Sequence, residues 1–171
     1  GVFEDIDKVS GETLARRYKQ RSKACHGCIV PCSRALDVNG ASDELGSFKM
    51  EGPEFEGLAG FTSKLGISDL KWSLWAANYC NEQGIDVITA SECLAATMEC
   101  FERGIIDMED TGGLQLNFGN IEAATELLRQ VAEVRDFGAR FVDGALSGLA
   151  SLGPEAARLV SESELAEILL R

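Results

Sequence analysis

Histidine occurs once in the 171 residues, at position 26, so neither a Ser/His/Asp triad nor a two-histidine metal site can be assembled within this chain. Positive charge is also scarce. Lys and Arg number 16 against 28 for Asp and Glu, a formal charge of −12, which argues against a nucleic-acid backbone or an anionic membrane as partner. No apolar run approaches the roughly 18 residues of a membrane span, and there is no charged-then-apolar leader and no polybasic segment. No glycine pattern precedes a strand-to-helix phosphate loop, Lys and Arg are scattered, and no internal repeat is present. A start at Gly1-Val2-Phe3 without an initiating Met points to a processed or excised piece.

What is present is cysteine, six in all, three of them in Cys25-His26-Gly27-Cys28-Ile29-Val30-Pro31-Cys32. Thiolates at C-x-x-C-x-x-x-C spacing in a Gly- and Pro-bearing loop can converge on one centre. Soft sulfur selects zinc, copper(I) or an iron–sulfur cluster over hard cations. Pro31 biases Val30 toward extended backbone, and Gly27 permits close approach of a bulky group. Four ligands are wanted and the loop holds three. The fourth comes from Cys80, Cys93 or Cys100, from His26, from an outside ligand, or from sequence not in this chain; the plainer alternative is free thiols in an irregular loop. This cysteine usage suits a reducing cytoplasm better than a disulfide framework.

Periodicity predicts an all-α fold: an irregular helical domain with a cysteine-rich loop, long enough for one sizeable core. A helix over about 11–24 has Ser10 as N-cap, with Leu14 and Tyr18 on one face. After the loop and a polar, Gly-rich stretch over 33–52, a helix runs from Ser68 to Gly84 with Leu70, Leu74, Ala77 and Cys80 inward. The next runs from Asp86 to Gly104 on Ala90, Leu94, Thr97 or Met98, and Phe101. After the break at Asp110-Thr111-Gly112-Gly113, a helix follows Asn120 with Leu127, Val131 and Val134 on one face. Gly138 interrupts it, and Phe141, Val142, Ala145, Leu146 and Leu149 continue at helical spacing. Gly153-Pro154 punctuates again, and Ser161-Glu162-Ser163-Glu164 matches a capping box ahead of Leu165, Ile168 and Leu169. Only residues 114–118 alternate like a strand. Residues 1–150 are expected to form one domain carrying the cysteine loop, and 151–171 the truncated start of the next helical segment.

Trp72 and Trp75 suit core or interface, and Cys80, Cys93 and Cys100, on helices among apolar neighbours, read as buried structural cysteines. Glu51-Gly52-Pro53-Glu54-Phe55-Glu56-Gly57 places two carboxylates around one aromatic ring after a Gly-Pro turn. Either is a solvated loop residue, or one is driven into a partly apolar pocket where it becomes useful for acid–base work. If the segment is extended, only one of Glu54 and Glu56 is expected to point into such a pocket.

In order, C-x-x-C-x-x-x-C, G-P-E-F-E, the helix start Gly66-Ile67-Ser68-Asp69-Leu70, the run Asn78 to Val87, the run Met98 to Ile105 and Asn117-Phe118-Gly119-Asn120 resemble the tungsten-dependent aldehyde:ferredoxin oxidoreductases. The resemblance covers about residues 8–150; each motif is weak, but their order and spacing are specific. It implies a helical middle domain of a longer enzyme whose β-rich N-terminal domain cradles a tungsten bis-pterin. It also implies that Cys25, Cys28 and Cys32 bind a 4Fe-4S cluster whose fourth cysteine lies far downstream. Glu56 matches a glutamate near the tungsten, a candidate catalytic proton-transfer group. Asn81, Gly84, Ile85 and Asp86 fall on a D-x-x-G-L-D pterin motif, with Asn81 and Ile85 departing from its usual Asp and Leu. An E-x-x-H pair, with which some members bind an intersubunit metal, is absent from this sequence.

The resemblance thus implies oxidation of aldehyde substrates to carboxylic acids, with ferredoxin as electron acceptor and the remaining domains of the same enzyme as partners. A cytoplasmic setting follows, a homodimer stays open, and the fragment alone is expected to be inactive. Two alternatives are a reductive tungsten relative acting on an aromatic thioester, and a non-enzymatic helical module holding zinc with Cys80 or His26 as fourth ligand. Ferredoxin is itself usually acidic, so its docking would need a local basic patch, and none is located in the sequence.

Overall fold

Four helices begin on a polar side chain that takes up a free backbone N–H of the first turn. Ser10 accepts from Thr13 at 3.2 Å, Asp69 from Trp72 at 3.0 Å, Asp86 from Thr89 at 2.7 Å and Asn120 from Ala123 at 3.1 Å. Each such cap is worth about 1 kcal/mol. In the computed structural model, which describes residues 3–39 and 45–161, these caps start α1 (Gly11–Tyr18), α3 (Leu70–Gln83), α4 (Val87–Glu102) and α5 (Ile121–Glu133). Shorter helices are α2 (Phe55–Gly60), α6 (Ala145–Ala150) and α7 (Pro154–Ser161). The capping box at Ser161-Glu162-Ser163-Glu164 and the run it leads into lie almost wholly outside the described residues.

The molecule is about 53% helical but is not all-α. Three strands, β1 (Lys19–Lys23), β2 (Ser33–Val38) and β3 (Phe48–Glu51), form an antiparallel sheet in the order β1-β2-β3. The predicted first helix therefore stops at Tyr18, and the chain turns into an edge strand. Lys23 pairs with Ser33 across β1 and β2, and Ala35 with Glu51, Leu36 with Met50 and Val38 with Phe48 across β2 and β3. The sheet exists because Leu36, Val38 and Met50 alternate onto one buried face, the period-2 pattern of a half-buried strand. Residues 114–118, predicted as a strand, are irregular. Their polar groups are satisfied locally, with Leu114 O accepting from Thr111 Oγ1 at 2.8 Å and the Phe118 N–H donating to Glu102 at 3.1 Å.

Helix α4 is central, touching α2, α3, α5 and α6. Leu94, Ala95 and Met98 are buried on it, and Leu74, Ala77 and Cys80 on α3. Burying a side chain of Leu size contributes roughly 1.5–3 kcal/mol. At the α2 contact a Cβ added to Gly60 would lie 2.4 Å from Ser91 Oγ, so only glycine lets these helices approach so closely. Trp72 is core, edge-on to Phe61 at 6.1 Å, with its indole N–H donating to Thr125 at 2.7 Å.

The last third departs from even helical spacing. Val134, expected inward, ends α5 in the left-handed conformation at φ 50° and is exposed. Beyond it a 3-10 turn (Asp136–Phe141) and α6 replace one continuous helix, so Phe141 and Leu149 are buried whereas Val142 and Leu146 face outward. Helix α7 lies against α6, with Ala156 fully buried. Among the described residues, no helix is long and apolar enough to cross a membrane.

Candidate functional site

A Schellman turn ends α3: the Gly84 N–H donates to Asn81 O at 3.3 Å and the Ile85 N–H to Cys80 O at 2.8 Å, with Gly84 at φ 71°. The chain leaves this turn through Ile85 and at once starts α4 on the Asp86 cap. Asn81, Ile85 and Asp86 thereby share one wall of a cleft of about 370 Å³. The opposite wall is the turn from β3 into α2, where Gly52-Pro53 is a cis peptide, and it contributes Glu51, Glu54 and Glu56. The third side is the ends of the β1–β2 connection, Cys25, Cys32 and Ser33.

Of the residues singled out from sequence, Cys25, Cys32, Glu56, Asn81, Ile85 and Asp86 thus line one cleft, although they span 62 positions of the chain. Gly84 shapes that wall without lining it. Cys28 stands apart, in a tight turn where its sulfur accepts from the Val30 N–H at 3.4 Å. Residues 24–32 have no regular secondary structure, and Cys25, Cys28 and Cys32 are exposed free thiols. Among the described residues, no three His, Cys, Asp or Glu side chains are gathered to hold a metal ion. The convergence expected of the three thiols is therefore not present in this structure.

The acidic turn also differs from expectation. Phe55 is exposed and opens α2, with Glu54 at the N-cap position. The segment is not extended through Phe55, so Glu54 and Glu56 both line the cleft, and backbone alternation does not separate them. Asp86 is held below the usual carboxylate range, chiefly by the Thr89 N–H it caps. Glu51 is likewise lowered, first by Lys23, with which it forms an ion pair, and also by Ser33. Lys23 lies just before the cysteine segment, so its ion pair with Glu51 on β3 holds that end of the loop, beside Ser33 at the other.

Cys80 and Cys93, buried on α3 and α4, and Cys100, also on α4, have the opposite setting. Burial pushes the Cys80 thiol up to about 12 and Cys100 to about 11, and raises Cys93 as well. Cys80 is a fully buried core side chain of α3 and does not line the cleft. The sequence reading missed Ser33, Glu51 and Ile88 as cleft residues. The signal that could have found the first two is the alternation Leu36-x-Val38 and Phe48-x-Met50, which brings β2 beside β3.

Thiols, carboxylates and an amide thus line one acidic cleft of a helical scaffold, a donor set suited to a soft-metal centre on one side and a polar organic group on the other. The chain belongs to the aldehyde ferredoxin oxidoreductase family: the family described as "Aldehyde ferredoxin oxidoreductase, domains 2 & 3" matches residues 1–168. It is 34% identical over 147 residues, 84% of this chain, to a tungsten-containing aldehyde ferredoxin oxidoreductase of Pyrococcus abyssi, and 31% identical over 167 residues to that of Pyrococcus furiosus. A further relative in P. furiosus, 27% identical over 144 residues, is the WOR-like subunit of an aliphatic sulfonate oxidoreductase. The chain spans 23% of the first of these relatives and 27% of the second. The active-site complex of benzoyl coenzyme A reductase shares the fold, with a TM-score of 0.67 over 87% of this chain and 21% of that one at 23% identity.

Proposed function

We propose that this chain is the cofactor-facing helical part of a tungstopterin oxidoreductase that oxidises aldehydes to carboxylic acids and passes the electrons to ferredoxin. The observation that carries the reading is the convergence of Cys25, Cys32, Glu56, Asn81 and Asp86 on one cleft in a chain of this family. The donors fit the groups the family implies: three thiols on one loop suit three of the four ligands of a 4Fe-4S cluster. Cys25, Cys28 and Cys32 would hold the cluster, with the fourth ligand supplied from another part of the protein. Bound together, the pterin-held tungsten and the cluster supply two-electron chemistry and a one-electron relay.

The protein's share is binding, orientation and proton handling. The Asn81 amide can donate to and accept from a pterin edge. Asp86, one oxygen engaged in capping α4, offers its remaining lone pairs from a fixed position. Oxidation of an aldehyde and water to an acid releases two protons with two electrons, and Glu56 on the cleft wall is the group to take a proton.

In the full-length protein, purified without oxygen, Glu56→Gln keeps shape and hydrogen bonding while removing the proton-accepting group. It should lower aldehyde-dependent reduction of a viologen dye by ~10²–10⁴-fold with tungsten and iron contents unchanged. Parental turnover in that variant, with loss in Glu54→Gln, would reverse the two roles. A colourless wild-type protein containing zinc instead of iron and tungsten would overturn the reading.

A further inference from the structure

Residues 13–36 hold Arg16, Arg17, Lys19, Arg21, Lys23 and Arg34 and not one Asp or Glu, a local charge of +6 in a chain whose total is −12. The fold concentrates this charge further. Arg16 and Arg17 end α1, and Lys19, Arg21 and Lys23 follow directly on β1, whose five residues are all exposed. Among the described residues, only Lys23 of these is in an ion pair, with Glu51. Next to them a groove of about 520 Å³ carries Arg21, Lys23 and Lys49, with Asp37 and Glu51 as its acids.

Cations on an edge strand also discourage strand-to-strand aggregation. That role does not explain Arg16 and Arg17, which lie on a helix, nor the lack of any acid over 24 residues in so acidic a chain. What singles out the place is its continuation: β1 ends at Lys23, two residues before the exposed thiol of Cys25.

We propose that the basic face made by the end of α1 and strand β1 docks a small acidic electron-carrier protein beside the cysteine loop. The inference rests on the redox reading above and adds to it where the carrier binds. Opposite charge steers encounter and fixes orientation more than it adds affinity, and electron-transfer encounters work with interfaces below about 1,200 Å². A short basic strand suffices for that. With a cluster held by the loop, the docked carrier's centre would gain one electron as the cluster loses one, and the carrier would then leave.

The test is binding of the iron-loaded full-length protein to an immobilised acidic ferredoxin at 20 and 200 mM NaCl. The triple change Arg17→Glu, Lys19→Glu, Arg21→Glu should weaken Kd by about 10-fold or more at low salt and flatten its salt dependence, with viologen reduction unchanged. A control with Arg129→Glu and Arg140→Glu, both outside this face, should stay within about 2-fold of the parent. Unchanged binding in the triple variant overturns the docking site. So does equal weakening in the control, which would reduce the effect to net charge, and so does equally effective competition by a single-stranded DNA oligonucleotide, which would make the face a general polyanion surface. Absence of iron from the wild-type protein would instead overturn the redox reading, and this inference with it.

Discussion

The six cysteines fall into two sets of three with opposite surroundings. Cys25, Cys28 and Cys32 are exposed on a connection with no regular secondary structure, whereas Cys80, Cys93 and Cys100 are 0%, 3% and 0% exposed on α3 and α4. One residue type thus serves as a small apolar side chain in one region and an available soft donor in the other. The difference lies in the environment, because desolvation keeps the buried thiols protonated and so removes both nucleophilicity and ligand character.

Labelling with a thiol reagent at pH 8 exposes this contrast most sharply. In the metal-free protein three thiols should react promptly and three at least ~10²-fold slower, since thiols raised to about 11 and about 12, as Cys100 and Cys80 are, are thiolate in only ~1 molecule in 10³ and ~1 in 10⁴ at that pH. Six fast thiols would erase the distinction. Opening the core should blur it in a graded way. Leu94, fully buried beside Cys93, when changed to Ala should cost about 2–5 kcal/mol in denaturant unfolding and accelerate labelling of the buried set only.

Alkali provides a finer cut. The buried thiols ionise at higher pH folded than unfolded, so the native state holds more protons between the two values. Their stabilising contribution is complete below about 9 and is lost as pH rises toward 11–12, the folded values of Cys100 and Cys80. The unfolding free energy should be flat in this respect from pH 6 to 8.5 and then fall by up to ~1.4 kcal/mol per pH unit for each thiol. Cys80→Ala should make the fall shallower. The smallest expected effect is Val134→Gly, which relieves a β-branched residue at φ 50° and should stabilise by about 1 kcal/mol without altering either labelling class.

The long helices were legible because each carries its own start and stop: Asp69 and Gly84 bracket α3, and Asp86 and Gly104 bracket α4 with its end. The sheet was not, because its strands are four to six residues long and β1, Lys-Gln-Arg-Ser-Lys, is exposed throughout, with no apolar alternation to betray it. The same omission hid the role of Glu51, which depends on β2 lying beside β3. Of the residues singled out, Cys25, Cys32, Glu56, Asn81, Ile85 and Asp86 line one cleft while Cys28 and Gly84 do not, and the backbone gives no division of labour between Glu54 and Glu56, since both line it. The inward assignment of Val134 failed because nothing in a valine announces a left-handed helix end.

The pairing of Lys23 with Ser33 has a thermodynamic consequence for whatever the nine-residue span 24–32 holds. Closing a flexible loop of that length costs on the order of 2 kcal/mol in chain entropy. Here folding of the sheet has closed it before any ligand arrives. Relative to the same cysteine motif on a free peptide, the tethered ends correspond to a gain of roughly 30-fold in effective concentration of one terminal thiol at the other. Pulling β1 off β2 would forfeit that gain without changing a single ligand.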